Sequence, residues 1–379
     1  MADANPAPAR RRSRTMPLPD CVALVLQGGG ALGSYQAGVF QALDEAGVPI
    51  DWVAGISIGA VNAAIIAGNQ PERRLEQLHA FWSLVTSGLP SMPIYPDDRV
   101  REAVHEGSAA WVATFGVPGF FRPRWMHPML SLPGSCEALS LYDTAPLAET
   151  LNQFVDWDRL NSGEVRLSVG AVNVETGNFR FFDTTTDRID ARHIMASGAL
   201  PPGLPPVEID GCWWWDGGLV SNTPLTHVLD HQTEPTLVFQ VDLFPSRGKR
   251  PQTISDVTAR EKEIRYSSRT RQITDDRLKL RREREAIRRV IAKLPAELRG
   301  DRDVRVLEEM AQDIPVSIVH LIHRRADWQG GNLDFEFSAA TMRDHWQAGL
   351  TDVARTMANA TILAASIEDG KTAAYDLTR

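Results

Sequence analysis

Cysteine is scarce in this chain: Cys21, Cys136 and Cys212 are the three among 379 residues, and no two are spaced as C-x-x-C. Neither a disulfide framework nor a cysteine zinc site is expected, and a reducing compartment is the simpler reading. No stretch reaches the roughly 18 uninterrupted apolar residues of a membrane-spanning helix. The expected location is therefore cytoplasmic, with any membrane contact peripheral. Positive charge is not in excess either; the net charge of −8 argues against a general nucleic-acid binder. The first twenty residues lack the apolar stretch of a signal peptide. Rich in Pro, Ala and Arg, they read as a disordered basic arm. No internal repeat is present, and no Gly-Lys-Ser/Thr follows the glycine run, which excludes a Walker phosphate loop.

What is present suits a globular protein with a sizeable core: 43% hydrophobic and 23% charged residues. The charge is uneven. Val257 to Arg299 holds 14 Lys+Arg against 7 Asp+Glu, a segment of +7 against −15 for the remainder.

Cys21 to Gln27 is a continuous apolar run ending in glutamine, as expected of a strand buried on both faces of a parallel sheet. Gly28-Gly29-Gly30-Ala31-Leu32-Gly33 follows, then a helix from Ser34 to Ala46. A second strand, Asp51 to Ala54, leads into Gly55-Ile56-Ser57-Ile58-Gly59 and a small-residue helix, Ala60 to Ala67. Two glycine-bearing loops thus stand at one edge of a βαβ unit, where ligand sites form. A helix is expected over Pro71 to Val85. Residues 89–139 read as irregular, broken by Pro90, Pro93, Pro96 and Gly116 to Trp125, and are either a lid or a loop packed on the body. A helix over Leu141 to Phe154 and strands over Val165 to Val174, Asn178 to Phe182, Val207 to Ile209, Cys212 to Trp215 and Thr236 to Leu243 follow. Tyr266, Ile273, Leu280, Ile287 and Leu294 recur every seventh residue, which predicts one long helix over Val257 to Leu298 that packs on the body or on a second subunit. Its basic face toward anionic lipid is an alternative. A short helix (Asp303 to Asp313), a strand (Pro315 to Ile322) and a closing helix from Ser338 complete the chain.

A serine between strand and helix, with glycine two places away on each side, is the nucleophile-elbow pattern. Gly28 to Gly33 also fits G-x-G-x-x-G, but a dinucleotide site needs an acidic residue at the far end of the second strand. Here Asp51 stands at its beginning. The glycine run is better explained by acyl transfer, in which backbone N–H groups hold the negative charge that builds on the carbonyl oxygen. For the base, none of the nine histidines is an obvious partner. Asp216 ends a Trp-rich strand 159 residues after Ser57 and is followed by Gly217-Gly218. A dry aromatic surrounding would raise its pKa toward that of a useful base.

The order Gly28-Gly29-Gly30-x-x-Gly33, Gly55-x-Ser57-x-Gly59, Asp216-Gly217-Gly218 resembles the patatin-like phospholipases. Ala196 to Pro202 and Asn222 to Leu225 resemble their linking segments, and the likeness runs from Cys21 to about Leu243. The resemblance implies a three-layer α/β/α fold with a central, mostly parallel sheet. It assigns Ser57 as nucleophile, Asp216 as general base and the amides of Gly28, Gly29 and Gly30 as oxyanion hole, with Gly33, Gly55, Gly59, Gly217 and Gly218 supporting them and with no metal or cofactor. Many members carry Arg or Lys where Leu32 stands. The expected organisation is a basic arm (1–20), a catalytic domain (21–245) and a largely helical C-terminal extension (246–379) resembling that of a bacterial subgroup.

The implied function is a serine hydrolase of lipid carboxylic esters, of the phospholipase A or lipase type. Two alternatives stay open: a cytosolic esterase or thioesterase on short hydroxyacyl substrates, and a catalytically vestigial membrane- or partner-binding scaffold. The expected partners are a lipid or other acyl-ester substrate, a membrane surface touched peripherally, and a second copy of the chain through the 257–298 helix, with no nucleic acid.

Overall fold

The computed structural model describes residues 17–89, 98–324 and 333–378. Most of the expected N-terminal arm, together with Pro90, Pro93 and Pro96, lies outside the described residues.

Strands form where apolar and β-branched residues run together: β1 (Cys21–Leu26), β2 (Trp52–Gly55), β3 (Arg122–Pro123), β4 (Tyr142–Asp143), β5 (Arg166–Asn173), β6 (Phe179–Asp183), β7 (Val207–Ile209), β8 (Cys212–Asp216), β9 (Thr236–Asp242), β10 (Val316–Ile322) and β11 (Ala373–Tyr375). The helices between them are α1 (Ser34–Glu45), α2 (Ile58–Ala67), α3 (Pro71–Val85), α4 (Asp98–Phe115), α5 (Ala145–Phe154), α6 (Trp157–Leu160), α7 (Ala191–Ser197), α8 (Leu225–His231), α9 (Ile254–Ile291), α10 (Arg302–Met310), α11 (Ala339–Ala358) and α12 (Ala360–Glu368).

One sheet runs in the order β11-β10-β9-β1-β2-β5-β8-β7, with β6 also paired to β5. The pairs from β11 across to β5 are parallel, while β6 and β8 lie antiparallel to β5. Helices cover both faces. Val22, Leu24 and Leu26 of β1 point into the core that holds Phe40 and Trp82; Cys21, Ala23 and Val25 point to the opposite face, against Leu225, Val228 and Leu229 of α8. A strand covered on both sides needs apolar residues at successive positions, which is why this run does not alternate. The chain therefore has the three-layer α/β/α architecture with a mostly parallel sheet.

The C-terminal segment enters the same sheet. β10 runs in register beside β9 from Val316 opposite Thr236 to Ile322 opposite Asp242, and β11 extends the edge. α11 crosses α1 closely because Gly38 faces the Trp346 backbone and Gly349 faces the Tyr35 carbonyl, where a Cβ would collide. Hydrogen bonds from the Tyr35 hydroxyl to Asp352 (2.8 Å) and from Trp346 Nε1 to Gln41 (2.6 Å) fix that crossing. The long basic helix is observed as α9. Its arginines turn partly inward: Arg281, Arg284 and Arg288 converge on Asp313 at 3.5, 3.4 and 3.8 Å, and Arg277 pairs with Asp230 of α8. The side chain of Ile273, one of the heptad positions, lies outside the described residues.

The irregular reading of 89–139 is corrected in its first half. Asp98–Phe115 is an eighteen-residue helix. Ser108, Ala109 and Val112 are buried on one side of it, a short i, i+1, i+4 stripe that the surrounding prolines and glycines obscure in the sequence.

Candidate active site

β2 ends at Gly55, and the chain reverses through Ile56 and Ser57 into α2. The turn is tight enough that a Cβ on Gly55 would run into the Gly59 carbonyl, and one on Gly59 into the Leu26 carbonyl. Ser57 itself has φ 55° and ψ −123°, a backbone conformation that costs a non-glycine residue about 1–3 kcal/mol. The surroundings hold it there. Its amide donates to both the backbone carbonyl and the hydroxyl of Ser197, each at 3.1 Å. Gly198 lies close by: a Cβ there would sit 3.8 Å from Ser57 Oγ.

Asp216 ends β8 in the sheet interior, 3% exposed. Its amide donates to the Ala199 carbonyl (3.0 Å), so the segment that braces Ser57 also braces Asp216. The Ser57 side chain is within hydrogen-bonding reach of the Asp216 carboxylate. Burial pushes this carboxyl up to about 7, against the smaller lowering effects of the Gly218 amide and Ser57. The Gly218 amide donates to Asp216 Oδ1 at 2.6 Å, aiming the carboxylate, while Gly217 packs on the Gly170 carbonyl.

The glycine loop closes the site from β1. Gly28 lies against Ser57, where an added Cβ would approach the serine Cβ to 3.0 Å. Its amide donates to the Asn222 carbonyl (3.2 Å), and its carbonyl accepts from Asn222 Nδ2 (3.0 Å). The Gly28 N–H is thus already engaged, whereas the amides of Gly29 and Gly30 donate to no protein group among the described residues. Gly30 has φ 56°, and a Cβ there would strike the Asp334 carbonyl. Gly33 packs on Ile58 at the start of α2. Leu32 is buried in the core.

Three residues that bind this site together were not singled out as site residues from the sequence. Asn222 joins the glycine loop to the aspartate turn, and Ser197 anchors the elbow. Gln27 accepts from the Leu243 and Phe244 amides (2.6 and 3.0 Å) and donates to Thr223 (2.9 Å) and to the Tyr266 carbonyl on α9 (3.1 Å). A fully buried glutamine at the end of an apolar run is the available signal, since a buried amide must find partners. Two of the histidines are occupied elsewhere: His193 closes a capping box with Asp190, and His227 contacts Asp183 at 3.1 Å.

The arrangement gathers a strained serine, a buried carboxyl and the backbone amides of the glycine loop at one edge of the sheet. Among the described residues no helix is long and apolar enough to cross a membrane.

A family profile described as "Patatin-like phospholipase" matches residues 24–229, more than half of the chain, and a second, "Patatin phospholipase", matches residues 264–368. "Lysophospholipase NTE1" of Saccharomyces cerevisiae is 25% identical over 246 residues, covering 62% of this chain and 11% of that protein. "Neuropathy target esterase sws" of Drosophila persimilis is 42% identical over 216 residues, covering 54% of this chain and 11% of that protein. The chain thus spans about a tenth of the length of these curated relatives. The crystal structure of VipD from Legionella pneumophila superposes with a TM-score of 0.41 at 15% identity, over 94% of this chain and 72% of that one.

Proposed function

The chain belongs to the patatin-like phospholipase family, and from that membership we propose that it is a lipid acyl hydrolase that works through a Ser57–Asp216 dyad. The observation that carries the reading is the hydroxyl of a strained Ser57 in reach of a carboxylate that burial has made more basic than an ordinary aspartate.

Asp216 takes the proton from Ser57 Oγ as the oxygen attacks the acyl carbon of the ester. The carbonyl oxygen then carries the negative charge, and the amides of Gly29 and Gly30 are the donors we assign to it. Each such donor contributes about 3 kcal/mol to the transition state. Collapse of the intermediate passes the proton from Asp216 to the departing alcohol and leaves Ser57 acylated. Asp216 next removes a proton from water as its oxygen attacks the acyl-enzyme, and it returns that proton to Ser57 Oγ as the intermediate collapses and the acid is released. A carboxylate serves here without histidine because the dry surroundings shift its pKa toward neutrality.

Glycerophospholipids or lysophospholipids are the proposed substrates, in keeping with the family description and with the name of the yeast relative. Turnover of such an ester should fall by about a thousandfold or more in Ser57→Ala and in Asp216→Asn. A fluorophosphonate probe should label the parent protein and not Ser57→Ala. Undiminished turnover in either variant would remove the assigned role.

A further inference from the structure

The short strands β3 and β4 pair with each other, Arg122 opposite Asp143 and Pro123 opposite Tyr142. The chain between them is an excursion that turns its apolar side chains outward. Trp125 is 101% exposed, Met129 89%, Leu132 80% and Leu130 77%, with Met126 at 49%. Large apolar side chains exposed singly are ordinary, but five within eight residues concentrate exposed apolar area of the kind that marks an interaction site.

This excursion is built rather than loose. Arg124 bonds through its amide to the Leu141 carbonyl (3.2 Å) and through its guanidinium to Ser140. The Leu130 and Ser131 amides close short turns on His127 and Pro128 (2.9 and 3.1 Å). Backbone groups satisfied in this way lower the cost of leaving water. The root of the excursion adjoins the site: Leu141 and Tyr142 donate to the Pro202 and Gly203 carbonyls (3.1 and 2.9 Å), on the turn that follows the Ser197–Ala199 brace of Ser57 and Asp216.

Charge narrows the choice of occupant. From Gly107 to Cys136 no aspartate or glutamate occurs, although the chain carries 48 of them, and the same stretch holds Arg122, Arg124 and His127. Arg122 at the base is paired with Asp143 of β4 (2.9 Å), but residues 124–136 of the tip itself carry Arg124 and no acidic residue, so the tip meets an anionic lipid surface without repulsion. A tryptophan beside aliphatic side chains suits the boundary between headgroups and acyl chains.

We propose that the tip formed by Trp125, Met126, Met129, Leu130 and Leu132 is the surface by which this protein docks on an anionic bilayer, holding the mouth of the Ser57 site against its lipid substrate. The inference rests on the lipid-hydrolase reading for its purpose. Its binding step is independent of catalysis.

The test uses the full chain carrying Ser57→Ala and vesicles of phosphatidylcholine mixed with phosphatidylglycerol. This protein should co-float with the vesicles, and adding Trp125→Ser and Met129→Ser should weaken its binding by about tenfold or more. Brominated lipids should quench part of the tryptophan emission, and Trp125→Phe should still bind but lose that quenched component. In protein with Ser57 intact, the same Trp125→Ser/Met129→Ser pair should lower turnover of vesicular phospholipid while leaving turnover of a soluble short-chain ester at the parent rate. Failure of the parent to bind vesicles, or equal binding by the serine variants, would overturn the proposal and point to a protein partner for this surface. Vesicle binding without hydrolysis of any ester would instead sink the catalytic reading and leave the docking surface standing.

Discussion

Burial raises the Asp216 carboxyl from the ordinary carboxylate range to about 7, and the direction of that shift sets how the proposed reaction responds to pH. The carboxylate is the form that accepts the Ser57 proton. Below about pH 7 most of it is protonated and cannot do so. We therefore expect kcat/KM on a soluble ester to fall about tenfold per pH unit below about 7 and to level off above it. A profile that stays flat from about pH 5 to about pH 8 would show that this carboxyl is not the base. The residues of the motifs were legible because each has a local steric or chemical reason. Asn222 and Gln27 were not: their importance lies in which distant groups their amides reach, and sequence spacing carries no record of that.

At the scale of elements, the glycine loop is gripped from outside its own neighbourhood. Gly30 is held at φ 56° with the Asp334 carbonyl where a Cβ would go, and Asp334 is paired with Lys262 of α9 at 3.0 Å. Alanine at position 30 would meet both a left-handed backbone cost of about 1–2 kcal/mol and a collision with main chain that has little room to yield. Gly30→Ala should lower the melting temperature and reduce ester turnover by about a hundredfold. Thermal melts and steady-state kinetics check the two effects separately; a variant with parent kinetics would show that the loop does not shape the reacting centre. Strand and helix positions followed the apolar pattern closely, as in β1, α3 and β7. The pattern failed at α4, whose buried stripe is short, and at β11, whose three half-buried residues are too few to announce a strand.

For the whole molecule, the division proposed at residue 245 separates segments that share one sheet. Every residue of β9 is buried, and its outer edge is paired by β10. A chain ending after residue 245 would present that edge and its apolar faces unpaired, a template for aggregation. We expect such a fragment to be insoluble or unfolded by circular dichroism and unreactive toward the fluorophosphonate probe. A soluble, probe-reactive fragment would show that the catalytic segment folds alone.

By itself the sequence determined the elbow at Ser57, the glycine-rich loop, the aspartate turn and a sheet buried on both faces. Each follows from clashes and burial patterns that act over a few neighbouring residues. The tertiary structure alone decided that Asp216 comes beside Ser57, 159 positions earlier in the chain, that the Gly28 amide is taken up by Asn222, and that the C-terminal strands complete the sheet. It also turned a proline-broken stretch into an exposed apolar tip whose root bonds to the Pro202–Gly203 turn. Those outcomes depend on which surfaces of a long chain bury one another, and such contacts leave no local trace in the order of the residues.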